Sequence, residues 1–107
     1  MVQSELRKYS EALKDADIEV RKEAAWTLSK GGRAAVPLLI EALADRSLRA
    51  VAAKSLSKIG HEARAAVPAL SRYLTDAPFG FKGDAAIALG KIGDRAALPH
   101  LLAALQT

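Results

Sequence analysis

The chain of 107 residues contains no cysteine. That absence excludes a disulfide framework, a thiolate metal site and a cysteine nucleophile. Aromatic residues make up 5% of the sequence, and valine and isoleucine number five each. Strands draw on these residue types, so their scarcity argues against a sheet protein. No run approaches the roughly 18 apolar residues that a membrane-spanning helix needs. Met1, Val2, Gln3, Ser4 and Glu5 form no signal-type apolar core, so the expected setting is cytoplasmic. Charge of one sign is also scarce: 16 Lys+Arg face 12 Asp+Glu, a net charge of +4. An excess of that size is thin support for a nucleic-acid footprint.

Alanine and leucine are abundant, at 23 and 15 residues. These are the two strongest apolar helix formers. With 50% of the chain hydrophobic, a packed core is within reach and disorder is excluded. The length suits a single domain, 1–107, and the expected class is all-α.

Pro37, Pro68 and Pro99 stand 31 residues apart, which is reason to lay the chain against itself. Ala35-Val36-Pro37-Leu38-Leu39 aligns with Ala66-Val67-Pro68-Ala69-Leu70 and with Ala97-Leu98-Pro99-His100-Leu101. Glu5 to Asp15 fits the same frame without the proline. The apolar columns of this unit, helix A, are Leu6/Val36/Val67/Leu98, Tyr9/Leu39/Leu70/Leu101 and Leu13/Leu43/Leu74/Leu105. They fall at i, i+3 and i+7, one stripe of an amphipathic helix. A second unit, helix B, alternates with it. Val20-Arg21-x-x-Ala24-Ala25-x-x-Leu28 aligns with Leu48-Arg49-x-x-Ala52-Ala53-x-x-Leu56 and Phe81-Lys82-x-x-Ala85-Ala86-x-x-Leu89. Val20, Ala24, Ala25 and Leu28 are expected to be its buried stripe. Gly32, Gly60 and Gly93 close the three copies where a helix end favours positive φ. Asp15, Asp17, Asp45 and Asp76 fall in the A-to-B turns, where aspartate caps the next helix.

The order A-B-A-B-A-B-A predicts an α-solenoid of seven helices in three and a half repeats. The expected boundaries are about 4–32, 35–60 and 65–93, with a terminal helix over 96–107. The second A-to-B turn is contracted, since Asp45 to Leu56 spans 11 positions where Asp15 to Leu28 spans 13. The third turn, Ala77-Pro78-Phe79-Gly80-Phe81, predicts a late start for the third B helix, with Phe81 filling the Val20/Leu48 column.

Asp15-x-Asp17-x-x-Val20-Arg21-x-x-Ala24-Ala25-x-x-Leu28, followed by Ala35-Val36-Pro37-x-Leu39, resembles the short HEAT-like repeats named after phycobilisome lyases. The resemblance runs from about Glu5 to Thr107. The period is shorter than the roughly 40–47 residues of ordinary HEAT repeats. It implies an interaction scaffold, or an accessory subunit presenting a chromophore or acceptor protein, with no cofactor of its own. Some HEAT-like proteins act on DNA, a third and weaker implication.

Core columns must repeat, so columns that vary are the better binding candidates. On the B helices these are Glu19, Lys22, Glu23, Trp26, Val51, Lys54, Asp84 and Ile87, joined by the lysine column Lys30, Lys58 and Lys91. Residues 19, 22, 23, 26 and 30 share a face by helical spacing. Trp26 is the sole tryptophan, and large aromatics are enriched at binding hot spots. Either Trp26, Val51 and Ile87 form an apolar strip for a protein or peptide, or Trp26 partly packs on the neighbouring A helix or covers the open N-terminal end. Lys30, Lys58 and Lys91 match an anionic partner, but lysine near a helix C-terminus also complements the helix dipole, the reading we favour. Without interleaved aromatics the stacking platform of a single-strand binder is missing. Arg21, Arg49 and Lys82 are expected to bond turn carbonyls and tie successive repeats together. His61 and His100 lack metal-ligand spacing, and no serine stands in a nucleophile elbow, so no catalytic or metal residue is assigned. Leu102, where earlier copies carry Ser10, Ile40 and Ser71, makes the last helix a sticky end. That end pairs two chains or belongs inside a longer array.

Overall fold

The computed structural model describes residues 2–75 and 80–93. Among them are six α-helices and no strand: α1 (Gln3–Ala12), α2 (Ile18–Thr27), α3 (Val36–Ala42), α4 (Arg49–Ile59), α5 (Val67–Thr75) and α6 (Lys82–Ile92). The helix expected over 96–107, Asp76 and Phe79 lie outside the described residues.

Local chemistry sets the helix ends. The Glu19 amide donates to Asp17 Oδ1 at 2.9 Å, which caps α2, while the Asp17 amide donates to Asp15 Oδ1 at 2.8 Å. Asp45 does a different job from the one expected. It accepts from the Ser47 amide at 2.9 Å and the Ser47 hydroxyl at 2.7 Å. The α4 N-cap is Leu48, which makes no side-chain cap bond. The contracted turn leaves Asp45 too early to cap a helix, so it stabilises the turn itself. α6 likewise starts at Lys82 behind an uncapped Phe81. Both therefore begin at the column of Arg21, about one turn later than α2. Pro37 sits in the first turn of α3, where its missing donor has no intrahelical acceptor to lose.

The B-to-A connections, Leu28–Ala35 and Gly60–Ala66, are 3-10 helical. Gly32 (φ 58°, ψ −144°) and Gly60 (φ 77°, ψ −137°) bend the chain in a region closed to residues with a Cβ. Gly93 adopts the left-handed form.

α1 packs on α2, α3 on α4 and α5 on α6, while α2, α4 and α6 stand side by side as one row. The A-column residues Val36, Leu39, Leu43, Val67, Leu70 and Leu74 meet Leu28, Leu56, Leu89, Ala25, Ala52, Ala53 and Ala85 in one continuous core. Leu6 and Tyr9 of α1, and Leu13 just past its end, are only half-buried. Val20 corrects the expected stripe: it is 37% exposed, whereas its counterparts Leu48 and Phe81 are 1% and 6%. Leu48 and Phe81 each have a preceding helix pair to bury them, and Val20 has none.

Polar groups tie the pairs together. Ser55 Oγ on α4 donates to the Ala25 carbonyl on α2 at 2.9 Å, inside the core. Tyr73 on α5 donates to the Leu43 carbonyl at 3.2 Å. Arg21 bonds the Asp15 and Ala16 carbonyls, then reaches Ser47 Oγ at 3.3 Å and Asp45 at 3.7 Å in the next pair. Arg49 donates to the Leu43 and Ala44 carbonyls and lies over the Tyr73 and Phe81 rings. Those rings meet edge to face at 5.0 Å. The arginine column thus does the carbonyl-bonding work expected of it, and Phe81 fills the column assigned to it.

Candidate partner-binding surface

The face of the B row opposite the α1, α3 and α5 layer carries the variable columns. Glu19, Lys22, Glu23, Lys54 and Lys58 are exposed, as are Lys30 and Lys91. Val51 and Asp84 are half-buried. Trp26 and Ile87 are 45% and 58% exposed, high values for such large apolar side chains.

Six of these residues come together. Glu19, Lys22, Glu23 and Trp26 of α2 and Val51 and Lys54 of α4 line a groove of about 340 Å³ between the two helices. Val51 and Trp26 supply its apolar lining. The α2 wall is mainly acidic and the α4 wall basic. Lys58, one turn beyond Lys54, places its ammonium 4.8 Å from the Trp26 ring centre. A cation at that distance is drawn to the negative face of the indole and holds the ring in place. Trp26 therefore meets α4, the next B helix, while leaving much of its surface to solvent.

Ile87, Asp84, Lys30 and Lys91 do not line this groove. The expected strip through Trp26, Val51 and Ile87 is thus assembled over its first two members only. α2 stops at Thr27, short of Lys30. The Lys58–Trp26 contact joins adjacent columns of successive B helices, and alignment by column alone does not reveal it.

Two further grooves went unseen in the sequence. One of about 250 Å³ is lined by Leu13, Leu38 and Leu48 with Lys14, Glu41 and Asp45 at its edge. Hydrogen bonds from the Ser47 hydroxyl and amide, aided by Arg21 and Arg49, hold the Asp45 carboxyl below the usual carboxylate range. The other, of about 260 Å³, lies between α1 and α2 at the open start of the row. Each mixes core-column residues, such as Leu13 and Leu48 or Tyr9 and Val20, with polar neighbours from the next helix, so neither follows from the variable columns. Among the described residues no group of three His, Asp or Glu side chains is placed to hold a metal ion, and no helix is long and apolar enough to cross a membrane.

Helical pairs packed in a row and open along one face define a helical-repeat protein. The HEAT-repeat family model matches residues 6–80 and again 36–107, and the chain belongs to that family. A crystal structure of an engineered protein from the Northeast Structural Genomics Consortium has a similar fold, with a TM-score of 0.61 at 24% identity. The match covers 92% of this chain and 50% of that one, so this chain spans half the engineered protein's length. No curated protein matches the sequence.

Proposed function

We propose that this protein is a non-catalytic interaction scaffold that binds a partner protein or peptide along the B-helix surface. The observation that carries this reading is Trp26, set half-exposed beside Val51 at the α2–α4 groove and steadied there by Lys58. A rigid aromatic anchor loses little freedom when it is covered, which favours it as a binding centre. The acidic and basic walls suit a segment that carries both signs of charge on either side of an apolar residue. In this reading the array is a short α-solenoid with repeats at about 4–32, 35–60 and 65–93 and a half-repeat over 96–107. Its period near 31 residues supports placement with the repeats named after phycobilisome lyases.

Engagement of Lys58 by Trp26 takes one member out of the Lys30/Lys58/Lys91 series, which favours a protein partner over nucleic acid. The test is a paired affinity capture with wild-type protein and Trp26→Ala as baits. A partner held by the wild type and lost by the variant supports the scaffold reading. A partner retained equally by both removes Trp26 from its centre, and retention on bilin-loaded or DNA-loaded resin alone overturns the reading in favour of those ligands.

A further inference from the structure

We propose that the cleft between α1 and α3 holds the tyrosine side chain of a partner polypeptide, seated as the protein's own Tyr73 is seated one repeat later. The template is the α3–α5 junction. There Tyr73 donates its hydroxyl to the Leu43 carbonyl at 3.2 Å and meets the Phe81 ring edge to face at 5.0 Å. The Arg49 guanidinium lies over the same ring, 4.8 Å from its centre. One ring thus joins the end of α3 to the start of α6.

At the α1–α3 junction the same columns meet without a ring. Ala42 precedes Leu43 as Tyr73 precedes Leu74, so alanine stands where the tyrosine stands later. Leu13 takes the place of Leu43, and Leu48 that of Phe81. Ala42, Leu13 and Leu48 all line the 250 Å³ groove, and Leu38, where the later junction has Ala69, extends its apolar wall. The backbone changes in the same sense. The Leu43 carbonyl accepts from both Tyr73 and Arg49. The longer first A-to-B turn sends Arg21 to the Asp15 and Ala16 carbonyls instead, and among the described residues nothing donates to the Leu13 carbonyl. A cavity, an apolar lining and an open acceptor suit a phenol side chain, whose ring is apolar and whose hydroxyl seeks a partner when buried.

The rim decides what accompanies the ring. Glu41 and Asp45 stand on the side of α3 and Lys14 on the side of α1. Asp45 is already engaged by Ser47 and Arg21, whereas Glu41 and Lys14 form no ion pair among the described residues. Carboxylates outnumber the ammonium, so a basic residue beside the tyrosine is favoured over an acidic one. The chain itself has that order at the later junction, Arg72-Tyr73, with Arg72 in the column of Glu41. A small free phenol gains the ring contacts but not this charge pairing, so the occupant is a polypeptide segment carrying Arg-Tyr. The cleft shares no residue with the groove at Trp26, and the proposal stands apart from the reading of that groove.

The experiment is an NMR titration of the whole chain with the blocked peptide acetyl-Gly-Arg-Tyr-Gly-amide, following the leucine methyl signals and the Trp26 indole. Saturable shifts at Leu13, Leu38 and Leu48 with an unmoved indole signal are expected. The same peptide with phenylalanine for tyrosine should bind roughly two- to tenfold more weakly, for want of the hydroxyl. Glu41→Arg should weaken the Arg-Tyr peptide roughly two- to fivefold. Ala42→Tyr, which puts a ring of the chain's own into the cleft, should abolish the shifts. If that variant is overpacked and fails to fold, Ser10→Phe takes its place and closes the cleft from α1. Absence of saturable shifts at millimolar peptide overturns the proposal, as do shifts centred on Trp26 and Val51 or undiminished binding to the filled cleft. So does equal binding of the phenylalanine peptide, or p-cresol that binds as tightly as the Arg-Tyr peptide.

Discussion

Gly60 and Gly90 show how differently one residue type is used. At Gly60 the backbone has φ 77° and ψ −137°, so an added Cβ is strained although no described residue lies within 4 Å of it. Gly60→Ala is expected to cost about 1–3 kcal/mol in a urea unfolding curve. Gly90 lies inside α6 with no described residue within 4 Å of its Cβ position, and Gly90→Ala is expected to gain about 0.5–1 kcal/mol. Alignment singled out Gly60 because it recurs at a repeat end, and the positive φ is the reason it recurs. Trp26 was legible as an exposed-face residue by its spacing from Ala24 and Ala25. Its contact with Lys58 was not, since it depends on the lateral offset between α2 and α4, and no single helix encodes that offset.

Helix by helix, the A and B pattern was readable because each apolar column serves the same core. The starts of the B helices were less so. Asp17 caps α2, whereas Asp45, at the same sequence landmark, closes a turn. Asp17→Ala is accordingly expected to lower stability by about 1 kcal/mol, read from thermal melts. Asp45→Asn acts instead through pH. Its folded-state pKa is depressed, so the unfolded chain takes up the proton first as acid is added. The carboxylate therefore stabilises the fold above the ordinary carboxylate pKa and ceases to do so as pH falls through the lowered value. Acid titrations of the melting temperature should show a shallower fall for Asp45→Asn than for wild type. The difference should be small, because Asp45 is open to water. Between α2 and α4, the Ser55 bond to the Ala25 carbonyl predicts a loss of about 1 kcal/mol for Ser55→Ala. The α4–α6 junction carries Ala88 at that column, so the alanine itself is sterically accepted.

Across the whole molecule, stability runs through the middle pair. α4 packs against α2, α3 and α6, and Leu56 is fully buried among them. Leu56→Ala is expected to cost about 2–5 kcal/mol. Because each pair leans only on its neighbours, the same variant should broaden the denaturant transition and lower its m-value. Leu6→Ala, at a half-buried site in α1, should cost less and leave the transition sharp. Val20 marks where whole-molecule context overrides the pattern. Its column is apolar in every copy, yet only in the second and third is there a preceding pair to bury it.

The pairing of Trp26 with Lys58 has a consequence for how the molecule can be watched. The one indole of the chain belongs to α2 and the ammonium over it to α4, 4.8 Å from the ring centre. Its fluorescence therefore reports the spacing between those two helices as well as the covering of the groove. Any bending of the array that slides α4 along α2 draws the ammonium off the ring and changes emission, even with the groove empty. The protein thus carries a built-in strain gauge at its first junction, usable without a label.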